Sequence, residues 1–176
     1  MRNIVLQRSP AKALGLLFLI LALLFLVKLP FLVVADRDSY PVLFFALTGK
    51  KEFSLYYTHS VQKTPVQENF FVDQEDRLLL TSTEYESLGV GTPFLPDEGK
   101  LVNQQGKYFL SGLSRHFEEV DLGASPIAGH ALIIKNKKYI VNDYFAPNEL
   151  VRIRVIRCST AFILWQKIVH RRETVD

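Results

Sequence analysis

The longest apolar stretch of the chain lies near its start. Residues 13–27 carry no polar side chain, Lys28 interrupts the stretch, and residues 29–35 are apolar again. Pro30 indicates a helix end, because proline lacks an amide hydrogen and its ring clashes with the preceding turn. The pattern predicts a transmembrane helix over residues 10–29, a length of about 20 residues that is close to the minimum for a hydrocarbon core of ~30 Å.

The charges that flank this stretch predict its direction. Three basic residues and no acidic one precede it, whereas Asp36 and Asp38 follow it on either side of Arg37. The positive-inside rule therefore places residues 1–9 in the cytoplasm and residues 30–176 outside. This predicts a single-pass protein of the cytoplasmic (inner) membrane that contacts the lipid bilayer through residues 10–29.

A cleaved signal peptide is the alternative interpretation of the same stretch. Val33-Val34-Ala35 provides the small residue that a cleavage site needs. Two features favour the anchor: the apolar stretch is long for a signal peptide, and residues 31–35 have the composition of a β-strand. Under either interpretation the remaining domain is exported.

Short β-type runs separated by turn signals fill most of the exported part. Turn residues recur about every 8–12 positions, which is typical of an antiparallel sandwich or small barrel. We therefore predict an all-β fold with one N-terminal transmembrane helix and a short C-terminal helix. The predicted strands cover residues 31–35, 41–47, 53–58, 66–72, 77–85, 106–110, 116–122, 129–135, 139–141 and 151–157.

Three of these runs carry more specific expectations. In residues 77–85 we expect Leu78, Leu80, Ser82 and Glu84 on one side of the strand. Residues 129–135 and 139–141 predict a hairpin with a polar linker over residues 136–138, in which Asn136 tolerates a positive φ.

The C-terminal segment changes from a β to a helical pattern. Ser159 is a suitable N-cap for a helix over residues 159–171, and the apolar side chains Ala161, Leu164, Trp165 and Ile168 share one face. The helix is too short to cross a bilayer. It either covers one end of the β domain or lies on the surface of the membrane.

Charge and cysteine content restrict the functional class. The net charge is +3, but residues 36–150 carry 11 basic and 16 acidic side chains, so the basic excess lies at the two ends. An acidic domain is a poor nucleic-acid binder, because phosphate recognition needs clustered Lys and Arg, and basic ends suit a membrane surface. Cys158 is the only cysteine, so no intramolecular disulfide forms.

The segment 57–68 concentrates groups that could bind a ligand between two predicted strands. It contains His59, Ser60, Lys63, Thr64 and Glu68, and the ammonium and hydroxyl groups could hydrogen-bond an anion. The alternative is a hydrogen-bonded turn, in which the hydroxyls tie the backbone and Glu68 pairs with Lys63.

Three further residues, in two segments, complete the candidate binding residues. Gly89 and Gly91 lie in a loop of residues 87–96 with two glycines and two prolines, which shapes a pocket rim or only connects two strands. His130 opens a predicted strand. A hydrolase or metal-dependent enzyme using His59, Glu68 and His130 is a second hypothesis, but nothing in the spacing requires a metal and no nucleophile-elbow motif surrounds Ser60. We predict no metal and no cofactor.

These segments together resemble an uncharacterised bacterial family, the domain of unknown function 1850. The most specific feature is the pattern His-Ser-Val-x-Lys-Thr-Pro-Val-x-Glu, and the resemblance extends over residues 31–165. Members of that family are small membrane-associated proteins that are often encoded beside tripartite, periplasmic-binding-protein-dependent (TRAP) transporters of the TAXI type. The positions that match its pattern are His59, Ser60, Lys63, Thr64, Pro65, Glu68, Gly89, Gly91 and His130.

The resemblance implies an accessory role in solute uptake and no established activity. We therefore expect a non-enzymatic protein whose exported domain binds a TRAP transporter subunit or a small solute. A structural domain for envelope assembly is a third possibility.

Overall fold

The computed structural model describes residues 10–47, 49, 51–86 and 99–170. The chain divides into two compact units. One is formed by the two terminal segments, which end at Leu29 and begin again at Arg157, and the other is Pro30–Ile156.

β-strands dominate the described residues, as the alternating pattern predicts. They are β1 (Lys28–Ala35), β2 (Pro41–Ala46), β3 (Glu52–Thr58), β4 (Pro65–Val72), β5 (Leu78–Tyr85), β6 (Lys100–Gln104), β7 (Lys107–Phe117), β8 (Glu119–Gly123), β9 (Ala131–Ile134), β10 (Lys137–Ile140) and β11 (Leu150–Ser159). A short 3-10 turn, Val141–Asp143, follows β10.

The strands form two mostly antiparallel open sheets. The smaller has the order β2-β1-β11-β8, and the larger has the order β10-β9-β3-β4-β5-β7-β6. The all-β prediction is confirmed, and of its two alternatives the structure is the sandwich, because neither sheet closes on itself.

One hydrophobic core joins the inner faces of the two sheets. Alternate residues of several strands point inward, as in β3 with Phe53 and Leu55 and in β11 with Val151 and Ile153. The core also contains Leu32, Val34, Val66, Phe70, Val72, Leu78, Leu80, Leu110, Leu122 and Leu132. Burial of this apolar area is the main stabilising term for the fold.

Strand β1 lies inside the smaller sheet, between β2 and β11. Its residues Phe31 to Ala35 are at most 6% exposed. Their predicted β character is confirmed, so a cleavage after Ala35 would remove a central, fully packed strand.

The terminal unit contains two helices, α1 (Pro10–Leu26) and α2 (Thr160–His170), which contact each other. Helix α1 ends before Leu29, the predicted end, since Leu29 precedes Pro30 and a residue in that place prefers an extended backbone. Within the described part of the chain, no helix combines the length and hydropathy needed to span a membrane. The predicted cap is confirmed: the amide of Phe162 donates to the Ser159 hydroxyl at 3.2 Å.

The predicted sidedness of residues 77–85 is wrong because of a β-bulge. Asn69 of β4 pairs with Ser82, but the next residue, Phe70, pairs with Leu80, so Thr81 is an extra residue in β5. An extra residue reverses the alternation. Leu78 and Leu80 therefore face the core on one side of the bulge, and Thr83 and Tyr85 face it on the other.

Other boundaries differ where two strands merge or a turn is tighter than predicted. The expected runs 106–110 and 116–122 correspond to one long strand, β7, followed by β8, and β6 was not predicted. The β9–β10 hairpin exists, but its turn consists of Lys135 and Asn136, with φ values of 50° and 62°. Two consecutive positive φ values define a type I′ turn, which matches the twist of the paired strands.

Candidate functional site

The predicted binding segment begins with a self-contained turn from His59 to Thr64. The amide of His59 donates to the Thr64 carbonyl at 2.9 Å, and the amide of Lys63 donates to the His59 carbonyl at 2.9 Å. The His59 Nδ1 atom accepts hydrogen bonds from the amides of Val61 and Gln62 at 3.3 and 3.2 Å. These contacts correspond to the alternative of a hydrogen-bonded turn, in which the imidazole accepts hydrogen bonds from backbone amides.

Glu68 lies apart from that turn, on the inner face of the larger sheet. It occupies the position between Val66 and Phe70, which are both buried, and is itself half-buried. The Tyr57 hydroxyl donates to its carboxylate at 3.1 Å, from a diagonal position on the neighbouring strand β3. The expected Lys63–Glu68 ion pair is not among the contacts of the described residues.

The His130 ring packs against the Tyr57 ring. The ring centroids are 5.5 Å apart with the planes inclined at 36°. The loop before His130 is fixed by a hydrogen bond from the Thr58 amide to the Ala128 carbonyl at 2.7 Å, and the Val141 amide donates to the His130 carbonyl at 2.9 Å. His130 thus precedes β9 and does not open it.

Two buried hydroxyls lie beside Glu68 on the same inner face. Thr83 is the direct cross-strand neighbour of Glu68 and is fully buried, and Tyr85 is the neighbour of Val66 and is 2% exposed. We call Tyr57, Glu68, Thr83, Tyr85 and His130 the inner polar cluster.

The inner polar cluster is incompletely hydrogen-bonded. Among the described residues, Thr83 Oγ1, Tyr85 Oη and His130 Nδ1 are buried atoms without a hydrogen-bond partner. A buried polar group left unpaired costs about 1–3 kcal/mol, and most buried polar groups in proteins are paired. Three such atoms are a substantial cost within a single core.

Burial sets the electrostatics of the cluster. It raises the pKa of Glu68 above its ordinary value, although the hydrogen bond from Tyr57 and the nearby charge of Arg115 act in the opposite direction. Burial also raises the pKa of Tyr57, to which the Glu68 charge adds, and lowers the pKa of His130. Burial therefore makes the charged form of each group less favourable than it is in water.

The three residues of the enzyme hypothesis do not converge. Glu68 and His130 both contact Tyr57, but the His59 Nδ1 atom is used by its own turn, and His59 contacts neither of them in the described part of the chain. No group of three or more His, Cys, Asp or Glu residues among those described is arranged to hold a metal ion.

The outer face of the larger sheet carries a second polar arrangement, centred on Asn69. Its Oδ1 accepts from Ser54 at 2.7 Å and from Gln67 at 3.0 Å, and its Nδ2 donates to Ser82 at 3.0 Å and to Glu84 at 3.4 Å. An asparagine amide has two acceptor and two donor sites, so this side chain is saturated. A groove of about 720 Å³ lies over Ser54, Asn69 and Phe71.

Comparison of the two faces favours the inner polar cluster as the binding site. All hydrogen-bonding sites of the Asn69 amide are occupied by neighbouring side chains of the sheet, whereas the cluster retains donors and acceptors without partners. Of the sequence-predicted residues the structure brings together Glu68 and His130, and it places His59, Ser60, Lys63 and Thr64 in or beside the adjoining turn. Gly89 and Gly91 lie outside the described residues.

Sequence reasoning missed Thr83, Tyr85 and the role of Tyr57. Tyr57 alternates with Phe53 and Leu55, and Glu68 alternates with Val66 and Phe70. These patterns indicate polar groups at inward positions of two consecutive strands. No comparable signal exists for Thr83, because the bulge at Thr81 decides which way it points.

The match to known proteins covers the segment that contains this cluster. The family model described as Domain of unknown function (DUF1850) matches residues 53–140, half of the chain. No match was found among curated proteins or among solved structures. The inner polar cluster lies entirely within the matched segment, and the chain belongs to the DUF1850 family.

Proposed function

We propose that this chain is a membrane-anchored extracytoplasmic accessory protein that supports a TRAP-type solute transporter by binding a subunit or its solute. The observation that carries the proposal is the set of unpaired polar atoms in the inner polar cluster. Binding sites combine apolar walls with a few convergent polar groups, and this is the composition around Glu68.

Hydrogen-bonding capacity defines what the cluster can accept. The Glu68 carboxylate is an acceptor, the Thr83 and Tyr85 hydroxyls donate or accept, and His130 Nδ1 is available for one more hydrogen bond. A small polar group, or a polar side chain of a partner subunit, would satisfy these atoms. The cost of burying them unpaired would then be recovered on binding.

Different observations support membrane attachment and the association with a transporter. The apolar α1, the basic residues before it and the acidic character of residues 36–150 support an anchor near residues 10–29 with the domain outside. The TRAP context rests on the motif resemblance of residues 58–68 and 129–130. Both belong to the proposal.

Co-purification from a native host tests the partner branch of the proposal. The tagged full-length chain is extracted in mild detergent, and recovered proteins are identified by mass spectrometry. We expect a transporter subunit with the wild-type chain and reduced recovery with Glu68→Gln and Thr83→Val. Ser82→Ala, a change on the outer face of the same strand as Thr83, is the matched control and should recover the subunit normally.

Native mass spectrometry tests the solute branch with the same four proteins. A small molecule retained by the wild type and Ser82→Ala, but absent from Glu68→Gln and Thr83→Val, supports a solute site. If neither a subunit nor a retained molecule depends on Glu68 and Thr83, the cluster is not the binding site and the proposal fails.

A further inference from the structure

The two helices of the terminal unit leave an extended apolar surface uncovered. Between positions 14 and 26 of α1, most of the large aliphatic and aromatic side chains are 46–78% exposed. In α2, Leu164, Trp165 and Ile168 are 52%, 58% and 60% exposed. Apolar patches of this extent are rare on proteins that face only water and indicate a binding partner.

Helix α2 presents the composition of an interfacial element. Phe162 and Trp165 contact each other through their rings, with centroids 6.2 Å apart. Tryptophan is enriched where a bilayer meets water, because its ring is apolar and its N–H is polar. The sequence adds Lys167 within the helix and Arg171 and Arg172 directly after it, and basic side chains attract anionic lipid headgroups.

We propose that α2 is a second membrane-contacting element, whose exposed face lies in the headgroup region of the bilayer that α1 enters. The inference rests on the proposed membrane attachment and extends it from one helix to both. Its support is the contact of α2 with α1, the exposed apolar side chains that each helix carries, and the basic residues that complement anionic phospholipid. A helix of 11 residues is too short to span the bilayer but suits its surface.

The single tryptophan makes the position of α2 measurable. Trp165 is the only tryptophan in the chain, so its fluorescence reports on this helix alone. The full-length chain is reconstituted into phosphatidylcholine vesicles with and without phosphatidylglycerol. We expect strong quenching by lipids brominated near the headgroup, weak quenching by aqueous iodide, and deeper burial when phosphatidylglycerol is present.

Charge substitutions on the same helix provide the matched comparison. In the double variant Leu164→Glu, Ile168→Glu the exposed face becomes acidic, so quenching by brominated lipid should be largely lost and quenching by iodide should appear. Gln166→Glu adds a carboxylate at a position that is already polar, and its quenching should stay as in the wild type.

The outcomes separate this inference from the proposed anchor. If the chain fails to float with the vesicles in a density gradient, membrane attachment itself is wrong. If it floats but Trp165 is quenched by iodide, only the contact of α2 with lipid is wrong. Shielding of Trp165 from both quenchers would also overturn the inference and would indicate that protein, and not lipid, covers the helix.

Discussion

The Tyr57 hydroxyl donates a 3.1 Å hydrogen bond to the Glu68 carboxylate on the inner face of a β-sandwich. The bond joins two strands diagonally and lies against the fully buried Thr83. This relationship places an ionisable group where the alternating pattern would otherwise put an aliphatic side chain. Substitutions of Glu68, Thr83 and His130 measure how this burial affects the free energy of unfolding.

Thr83→Val should stabilise the protein. The substitution replaces a buried, unpaired hydroxyl by a methyl group of similar size, so the free energy of unfolding should rise by about 1–2 kcal/mol. Thermal unfolding in mild detergent measures the change. Thr81→Val is the matched control, because the Thr81 hydroxyl donates to the Asn69 carbonyl at 3.0 Å, and its loss should destabilise by about 1 kcal/mol. If both substitutions changed the free energy of unfolding equally, the contrast between an unpaired Thr83 hydroxyl and a paired Thr81 hydroxyl would be wrong.

Glu68→Gln should alter the dependence of stability on pH. Because burial raises the pKa of Glu68, the folded chain holds this proton more tightly than the unfolded chain. The stabilising contribution is complete below the ordinary value of 4.5 and is lost as pH rises through the raised pKa. Each pKa unit corresponds to about 1.4 kcal/mol. The glutamine variant should therefore gain stability relative to the wild type as pH rises.

Melting temperatures measured across the acidic to neutral range check this expectation. Glu84→Gln, which removes a carboxylate on the outer face of the neighbouring strand, is the matched control for the loss of a carboxylate. A stability difference between Glu68→Gln and the wild type that stays constant with pH would refute the buried position of the carboxylate.

His130 should contribute with the opposite sign. Burial lowers its pKa below the ordinary value of 6.5, so the unfolded chain binds this proton more readily. The contribution to stability is present above pH 6.5 and is lost as pH falls through the lowered pKa. His130→Phe should show less acid destabilisation than the wild type. An NMR titration of the His130 ring with a midpoint at or above 6.5 would contradict this assignment.

Deletion of Thr81 should prevent correct folding. Thr81 is the bulge residue that reverses the alternation between Leu80 and Thr83, and without it one end of β5 must turn its core residues to the outer face. Thr81→Gly keeps the chain length and should cost only about 2 kcal/mol, from the lost hydrogen bond and the added backbone freedom. Near-ultraviolet circular dichroism distinguishes the two, and a native spectrum for the deletion variant would show that the bulge is dispensable.

Asn136→Val should weaken the β9–β10 hairpin. Asn136 has a φ of 62°, and a β-branched residue in the left-handed region costs about 1–2 kcal/mol or more. Asn136→Gly should be neutral or stabilising, since glycine adopts this conformation freely. Thermal unfolding of both variants gives the comparison. A valine variant as stable as the glycine variant would be inconsistent with a type I′ turn.

The local elements of this protein are readable from its amino-acid sequence. Alternation along residues 53–58, 66–72 and 151–157 predicts the strands that the structure contains, because side chains in a strand point to opposite faces with a period of two. The N-cap at Ser159 is likewise readable, because capping involves groups only three residues apart. The family motif around His59 and Glu68 was also visible in the sequence.

How these elements combine depends on contacts between segments that are distant in sequence. The neighbours β1 and β11 are distant in sequence, and the partner of Glu68 depends on the register between β3 and β4. The end of α1 also depends on strand pairing, because Leu29 precedes Pro30 and belongs to strand β1. Composition also does not show that the His59 ring accepts hydrogen bonds from its own turn, or that the bulge at Thr81 reverses which side chains of β5 face the core. Strand formation follows from short-range alternation, whereas strand pairing and the inner polar cluster follow from contacts between distant residues.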